Sequence, residues 1–258
     1  MVARRTRQAT WSLVRDGVTV ATAAAVYRPD RRWFVSVDAW RTEDTEPLVL
    51  AMITDLGHDL HTRVEGTDAA ALELWSRFGF LPERRELEFV FSPDPARTGL
   101  ANVSMPACLT LLSAADADEA ELRGLDEQLR NAVPGTDGWV HDPGEFHDQT
   151  FAEAHFDPST YLVALDAEHR RFVGLVRIWT GSTHARLGLI VVTPAYRRRG
   201  LARALLAHAL HPVHERGVTM VTAEADDTNR ASLALLRGIG AIETGSASVL
   251  KRALAVDD

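Results

Sequence analysis

A short apolar run, Leu187-Gly-Leu-Ile-Val-Val192, leads directly into Thr193-Pro-Ala-Tyr-Arg-Arg-Arg-Gly200 and then into Leu201-Ala-Arg-Ala-Leu-Leu-Ala-His-Ala-Leu210. The first segment is rich in β-branched residues and reads as a buried strand. The last is built from strong helix formers with apolar residues at i, i+4 spacing, so it reads as a helix packed on a sheet. A strand, a tight turn and a helix start in that order leave several backbone N–H groups without partners, all pointing one way. The helix dipole adds partial positive charge at the same place. Gly200 lets the backbone approach a ligand closely, and Arg197, Arg198 and Arg199 add whole charges. The chemistry of this stretch is that of a pyrophosphate cradle.

The pattern Arg197-x-x-Gly200-x-Ala202, after a strand ending in Val192-x-Pro194, resembles the acyl-CoA loop of the GNAT superfamily of N-acetyltransferases. A second motif, Asn229-Arg-Ala-Ser232-Leu-Ala-Leu-Leu236-Arg-Gly-Ile-Gly240, resembles that family's fourth helix, whose first-turn Asn contacts the cofactor. The family's Gly-aromatic pair is incomplete, because Ala241 follows Gly240. The resemblance covers about residues 107 to 252. It implies acetyl-CoA as cosubstrate, bound by Ile190, Val191, Val192, Arg197, Arg198, Arg199, Gly200, Leu201, Ala202, Arg203, Asn229 and Ser232. It also implies that backbone N–H groups of Ile190 to Val192 polarise the thioester carbonyl, with Val192 at the reacting centre.

A chain of 258 residues accommodates two modest domains. Its hydrophobic share of 46% and charged share of 25% are those of a globular protein. The net charge of −8 argues against a general nucleic-acid binder and suits a cationic acceptor. No apolar run is long enough to cross a membrane, and the basic N-terminus, Met1-Val-Ala-Arg-Arg-Thr-Arg7, lacks the apolar core of a secretory signal. The single cysteine, Cys108, excludes an internal disulfide and fits a reducing cytoplasm; its surroundings read as a strand with a small buried side chain.

Along the chain, strands are expected at 10–15, 18–27, 32–40, 61–64 and 87–91, with helices over 45–57 and from Asp68 to Phe78. Ser92-Pro-Asp-Pro and the residues after it have the composition of a linker. The second half is expected to run through strands near 108–112, 161–165, 172–179, 187–192, 218–224 and 248–252. Its helices are expected over 116–131, from Asp142, over 201–210 and from Asn229. The first half reads as a worn copy of the second: Asp68…Trp75-x-x-x-Gly79-Phe80 matches Asn229…Leu236-x-x-x-Gly240-Ala241 at a constant offset. Its strand-to-helix crossing, Asp38 to Glu46, has no glycine and carries extra acids, which a pyrophosphate would meet as repulsion. The expectation is an α/β chain of two GNAT-like domains, each a mixed, mostly antiparallel sheet flanked by helices. Residues 1–95 would form the degenerate domain, 96–106 a linker and 107–258 the acetyl-CoA-binding domain.

Acetyl transfer to an amine also needs a proton acceptor. Glu224, at the end of the strand expected to splay from the cradle strand, is the candidate base, acting through a water. Many family members carry a Tyr seven residues after the Asn as general acid; here that position is Leu236, so either Tyr161 or a water serves the step, or it needs no dedicated acid. Trp139, Asp142, Glu145 and Tyr161 are candidate acceptor contacts, although Asp142-Pro-Gly-Glu145 also has the form of a helix cap. His184 and the Asp142–Asp148 loop are the fallback bases. His208, His211 and His214 read as a solvated stripe, so no metal is expected. The function expected is direct attack of a primary amine, small-molecule or peptide, on acetyl-CoA in a ternary complex. The alternatives are a non-catalytic acyl-CoA-binding module and an interaction protein that binds no CoA.

Overall fold

The computed structural model describes residues 8–152, 156–181 and 183–254, so the basic segment Met1–Arg7 lies outside the described residues. The elements in order are β1 (Gln8–Arg15), β2 (Val18–Tyr27), β3 (Trp33–Ala39), α1 (Thr45–Leu56), β4 (Leu60–Glu65), α2 (Ala69–Arg77), β5 (Leu81–Phe91) and the single turn α3 (Pro95–Thr98). They continue through β6 (Leu109–Ser113), α4 (Glu119–Arg130), α5 (Pro143–Thr150), β7 (Tyr161–Asp166), β8 (Arg171–Thr180) and β9 (His184–Val192). The chain closes with α6 (Leu201–Glu215), β10 (Met220–Asp226), α7 (Arg230–Gly238) and β11 (Ile242–Arg252).

Two compact units result, one of residues up to Glu86 together with those from Ser246 onward, the other of Leu87–Gly245. In the first unit β1, β2, β3 and β4 lie side by side, with β3 and β4 parallel and the other pairs antiparallel. The second half of β11 completes this sheet, its residues Ala247–Arg252 running antiparallel to Glu65–Leu60. Its core holds Val49, Met52, Leu60, Trp75, Phe80 and Leu250.

In the second unit the order is the end of β5, then β10, β9, β8, β7 and β6. β9 and β10 are parallel, and β9, β8, β7 and β6 are successively antiparallel. β8 is a nearly continuous apolar run because both of its faces are covered. Leu175 packs with Tyr161, Leu189, three leucines of α4 and Phe146 of α5. Its neighbour Val176 faces the other way, into a core with α6, α7, Val221 and Ala223. The sheet therefore has an α4/α5 face and an α6/α7 face.

The internal repeat is exact in its element bounds: α2 and β5, moved along by 161 residues, coincide with α7 and β11. Three local readings differ from the sequence expectation. Cys108 is exposed, in a turn just before β6 with a φ of 68°, because the strand's apolar alternation begins only at Leu109. Residues 95–98, at the edge of the expected linker, form a helical turn capped by Asp94, and Leu100 after it is buried. α6 continues through Pro212 to Glu215, the apolar face being carried on by Val213.

Candidate active site

β9 and β10 pair from His184 and Met220 as far as Leu187 and Ala223, and no further. β9 nevertheless runs on to Val192 while hydrogen-bonding β8 on its other side. Gly188 is the extra residue of a bulge, since Arg177 pairs with Leu189 and Ile178 with Leu187. The two parallel strands thus part after Leu187 and Ala223, leaving a V whose one arm is Ile190 to Val192. A cleft of about 530 Å³ lies there, lined by Leu129, Ile190–Val192, Arg198, Gly200–Arg203, Asn229 and Ser232 among others.

The loop after Val192 is built for an anion. Arg198 has a φ of 60° and Gly200 a φ of 82°, with Arg199 between them, so successive N–H groups turn into one concavity. Gly200 caps α6 without any side-chain bond, which leaves the first-turn N–H groups of a fifteen-residue helix uncapped. A Cβ at Gly200 would meet nothing within 4 Å, so glycine is demanded here by the backbone angle and not by crowding. The loop is held from two sides. Arg197 donates its Nε–H to the Val192 carbonyl at 3.0 Å, and the Tyr196 hydroxyl donates to Asp166 of β7, holding that carboxyl well below its usual range.

Of the residues expected to hold the cofactor, Ile190, Val191, Val192, Arg197, Arg198, Gly200, Leu201, Ala202, Arg203, Asn229 and Ser232 all line this one cleft. The Arg203 guanidinium donates to the carbonyls of Gly238 and Gly99. Arg199 lies over the Tyr196 ring, 5.5 Å from its centroid, outside the lining set. Asn229 caps α7 by accepting from Ser232 N–H at 3.1 Å. Leu236 is 3% exposed and belongs to the α6/α7 core, and Leu235 lines the cleft instead. One residue of helix rotation separates the two positions.

Glu224 stands at the first position of β10 beyond the paired rungs. Its neighbours Ala223 and Ala225 point into the α6/α7 core, which turns Glu224 to the α4/α5 face. There Arg186 donates to it at 2.5 Å. This pairing was not legible in the sequence, because nothing local ties Arg186 to a residue of another strand.

The expected acceptor contacts do not gather at the cleft. Tyr161 is 1% exposed, with its hydroxyl buried and without a hydrogen-bond partner among the described residues. Burial, with Asp126 nearby, pushes its phenol far above the ordinary value, so it stays neutral and is a poor proton donor. Asp142 caps α5, accepting from Gly144 and Glu145 N–H, and Glu145 sits in that first turn. The Trp139 indole lies under the Arg130 guanidinium and bonds His141, in a buried network around Asp126. Asp148 is exposed on α5, and His184 opens β9 at the end remote in sequence from Val192. Among the described residues, no group of three or more His, Cys, Asp or Glu side chains is arranged to hold a metal, and no helix is long and apolar enough to cross a membrane.

Comparison with known proteins gives the following. The model of the acetyltransferase (GNAT) family matches residues 126–241. A mycothiol acetyltransferase of Clavibacter sepedonicus is 31% identical over 181 residues, 70% of this chain and 58% of the relative. The chain thus spans little more than half the length of that relative. The ribosomal protein bS18-alanine N-acetyltransferase of Escherichia coli is 41% identical over 56 residues, 22% of this chain and 38% of its own. Among solved structures, a tandem GNAT protein from the clavulanic acid biosynthesis pathway aligns with a TM-score of 0.72 at 14% identity, covering 99% of this chain and 86% of that one. At that identity the likeness speaks for the fold.

Proposed function

Because the chain belongs to the GNAT acetyltransferase family, we propose that it is an N-acetyltransferase that moves an acetyl group from acetyl-CoA to a primary amine in a ternary complex. The observation that carries the reading is the cleft itself: two parallel strands part beside an uncapped helix N-terminus, in a loop whose N–H groups converge. A pyrophosphate fits those donors, with Arg198 and the backbone of Gly200–Arg203 around it and Asn229 and Ser232 on the opposite wall. Acetyl-CoA supplies the acetyl group as a thioester; the amine nitrogen forms the new N–C bond, the C–S bond breaks, and the thiolate takes up a proton. Backbone N–H groups of Ile190 to Val192 stabilise the developing oxyanion. Glu224, on the acceptor face of the split, takes the proton of the ammonium through a water. A free alkylamine has a pKa of about 10.4, so near neutrality a proton must leave before attack.

The first unit, in this reading, is a relative of the same domain that no longer binds cofactor. Its β3 and β4 also part after two paired rungs. At the start of α1, however, Asp44 is 1% exposed and paired with Arg15 at 2.6 Å, where an anion would need free donors. The net charge suits a cationic acceptor, a small molecule or a peptide, and a cytoplasmic setting is part of this reading.

The test is steady-state turnover of acetyl-CoA with a panel of amines, beside calorimetry with CoA. Glu224→Gln should lower kcat at least about tenfold while CoA affinity holds, the low side of general-base contributions. An unchanged kcat from pH 6 to 9 would remove Glu224 from the mechanism. CoA binding without turnover of any amine would favour a binding module, the reading to which the absence of a Tyr at position 236 lends weight.

A further inference from the structure

Resting on the transferase reading, we propose that the acceptor is a free α-amino acid, with Arg186 as the residue that binds its carboxylate. Arg186 and Glu224 lie on the α4/α5 face at the base of the split, on either side of the last paired rungs of β9 and β10. They are joined through Arg186 Nη2 and Glu224 Oε2 at 2.5 Å. Both reach solvent, with side chains 46% and 34% exposed.

The Arg186 guanidinium is fixed in place. It stacks over the Trp179 ring, 5.2 Å from the centroid. That ring packs closely against Gly188, where a Cβ would come within 2.0 Å of Trp179 Cζ3. Arg177 stacks on the same ring at 5.0 Å and is itself anchored, donating to the Gln149 carbonyl at 2.9 Å. A guanidinium has five N–H donors in a planar fork suited to a carboxylate, and the contact with Glu224 engages Nη2.

The short charge separation selects the acceptor. In an α-amino acid one carbon separates the ammonium and the carboxylate, roughly 3 Å apart by standard bond lengths. Such a zwitterion lies antiparallel on the Arg186–Glu224 pair, ammonium to Glu224 and carboxylate to Arg186, with four charges alternating in sign. Neither protein charge has to leave the other. An amine without the carboxylate brings a second cation beside Arg186, a repulsion of at least about fivefold in affinity at 4 Å. An amino acid with a longer spacer leaves one charge beyond its partner.

The experiment uses the twenty free L-amino acids and their α-amides, which mimic peptide N-termini. Each is tested for turnover with acetyl-CoA and for binding to the CoA-loaded protein by calorimetry. At least one amino acid should exceed its amide about tenfold or more in kcat/KM and in affinity. Arg186→Gln should bring that ratio close to one, and Arg186→Lys, which keeps the charge but not the fork, should restore part of it. Amides handled as well as acids, a ratio unchanged in Arg186→Gln, or no amino acid bound would each overturn the proposal. Calorimetry keeps the two readings apart: amino acids bound but never acetylated would sink the transferase reading and the acceptor role with it, leaving only the carboxylate site at Arg186. Amides or plain amines acetylated in preference would do the reverse.

Discussion

Asp126 is a buried carboxylate that contributes to the acid stability of the second unit. It is 1% exposed on α4, and it accepts from Arg130 Nε at 2.6 Å and lies 2.7 Å from His141 Nε2. Burial pushes its pKa up, but Arg130 and His141 together outweigh burial and hold it below the ordinary value. A carboxyl depressed in the folded state contributes stability that is present above its unfolded pKa and lost as pH falls through the folded one. The unfolded value is about 3.9, so the contribution is in full force at neutrality and fades below roughly pH 4. Asp126→Asn should therefore lower stability at pH 7 by about 3 kcal/mol, as breaking a buried pair does. It should also flatten the loss of stability on acidification. Denaturant melts at pH 7 and below pH 4 measure both; equal losses at the two pH values would show that the carboxyl's charge is not what matters.

At the scale of elements, the loop between β9 and α6 is where the sequence spoke most clearly. Gly200 and the arginines before it announced a turn with N–H groups free for an anion, and their local chemistry needs no tertiary partner to be read. The lengths of β5 and β11 were less legible. Leu81–Glu86 and Ile242–Gly245 are mostly polar and lie exposed or half-buried, so they show no apolar alternation even though the strands run through them. The burial of Tyr161 was not legible either: it looked like an available phenol, and only the packing of α4 and α5 over β7 buries it. Arg186 found Glu224, and Trp179 found Gly188, through register across strands. For the loop, the expected outcome is specific. Gly200→Asp places a carboxylate at the helix N-terminus and a side chain at a φ of 82°, a region costing other residues about 1–2 kcal/mol. Repulsion from a pyrophosphate adds at least about 1 kcal/mol, so CoA affinity should fall about tenfold or more. Calorimetry on wild type and variant decides this, and unaltered affinity would move the anion site away from the loop.

For the whole molecule, the repeat and the compact units divide the chain differently, and the difference has a consequence for folding. By sequence, residues 1–95 are one copy of the repeat. In the structure, the strand beside β4 in the first unit comes from the far end of the chain, and its Leu250 is 1% exposed in the core that holds Leu60, Val64 and Phe80. A fragment of residues 1–95 lacks that strand. It would expose the Leu60–Glu65 edge and leave open the space that Leu250 fills. Losing a buried leucine side chain alone costs about 2–5 kcal/mol where a cavity remains, and the six paired residues Ala247–Arg252 go with it. Domains of this size have only about 5–15 kcal/mol in hand. The fragment 1–95 should thus show no cooperative thermal transition, whereas the full chain should melt cooperatively and bind one CoA. Circular dichroism of the fragment, alone and with a synthetic peptide of residues 245–254, measures this. A cooperative melt of the fragment by itself would show that the exchanged strand is dispensable, whereas recovery of the transition on adding the peptide would show that β4 needs the far end of the chain as its neighbour.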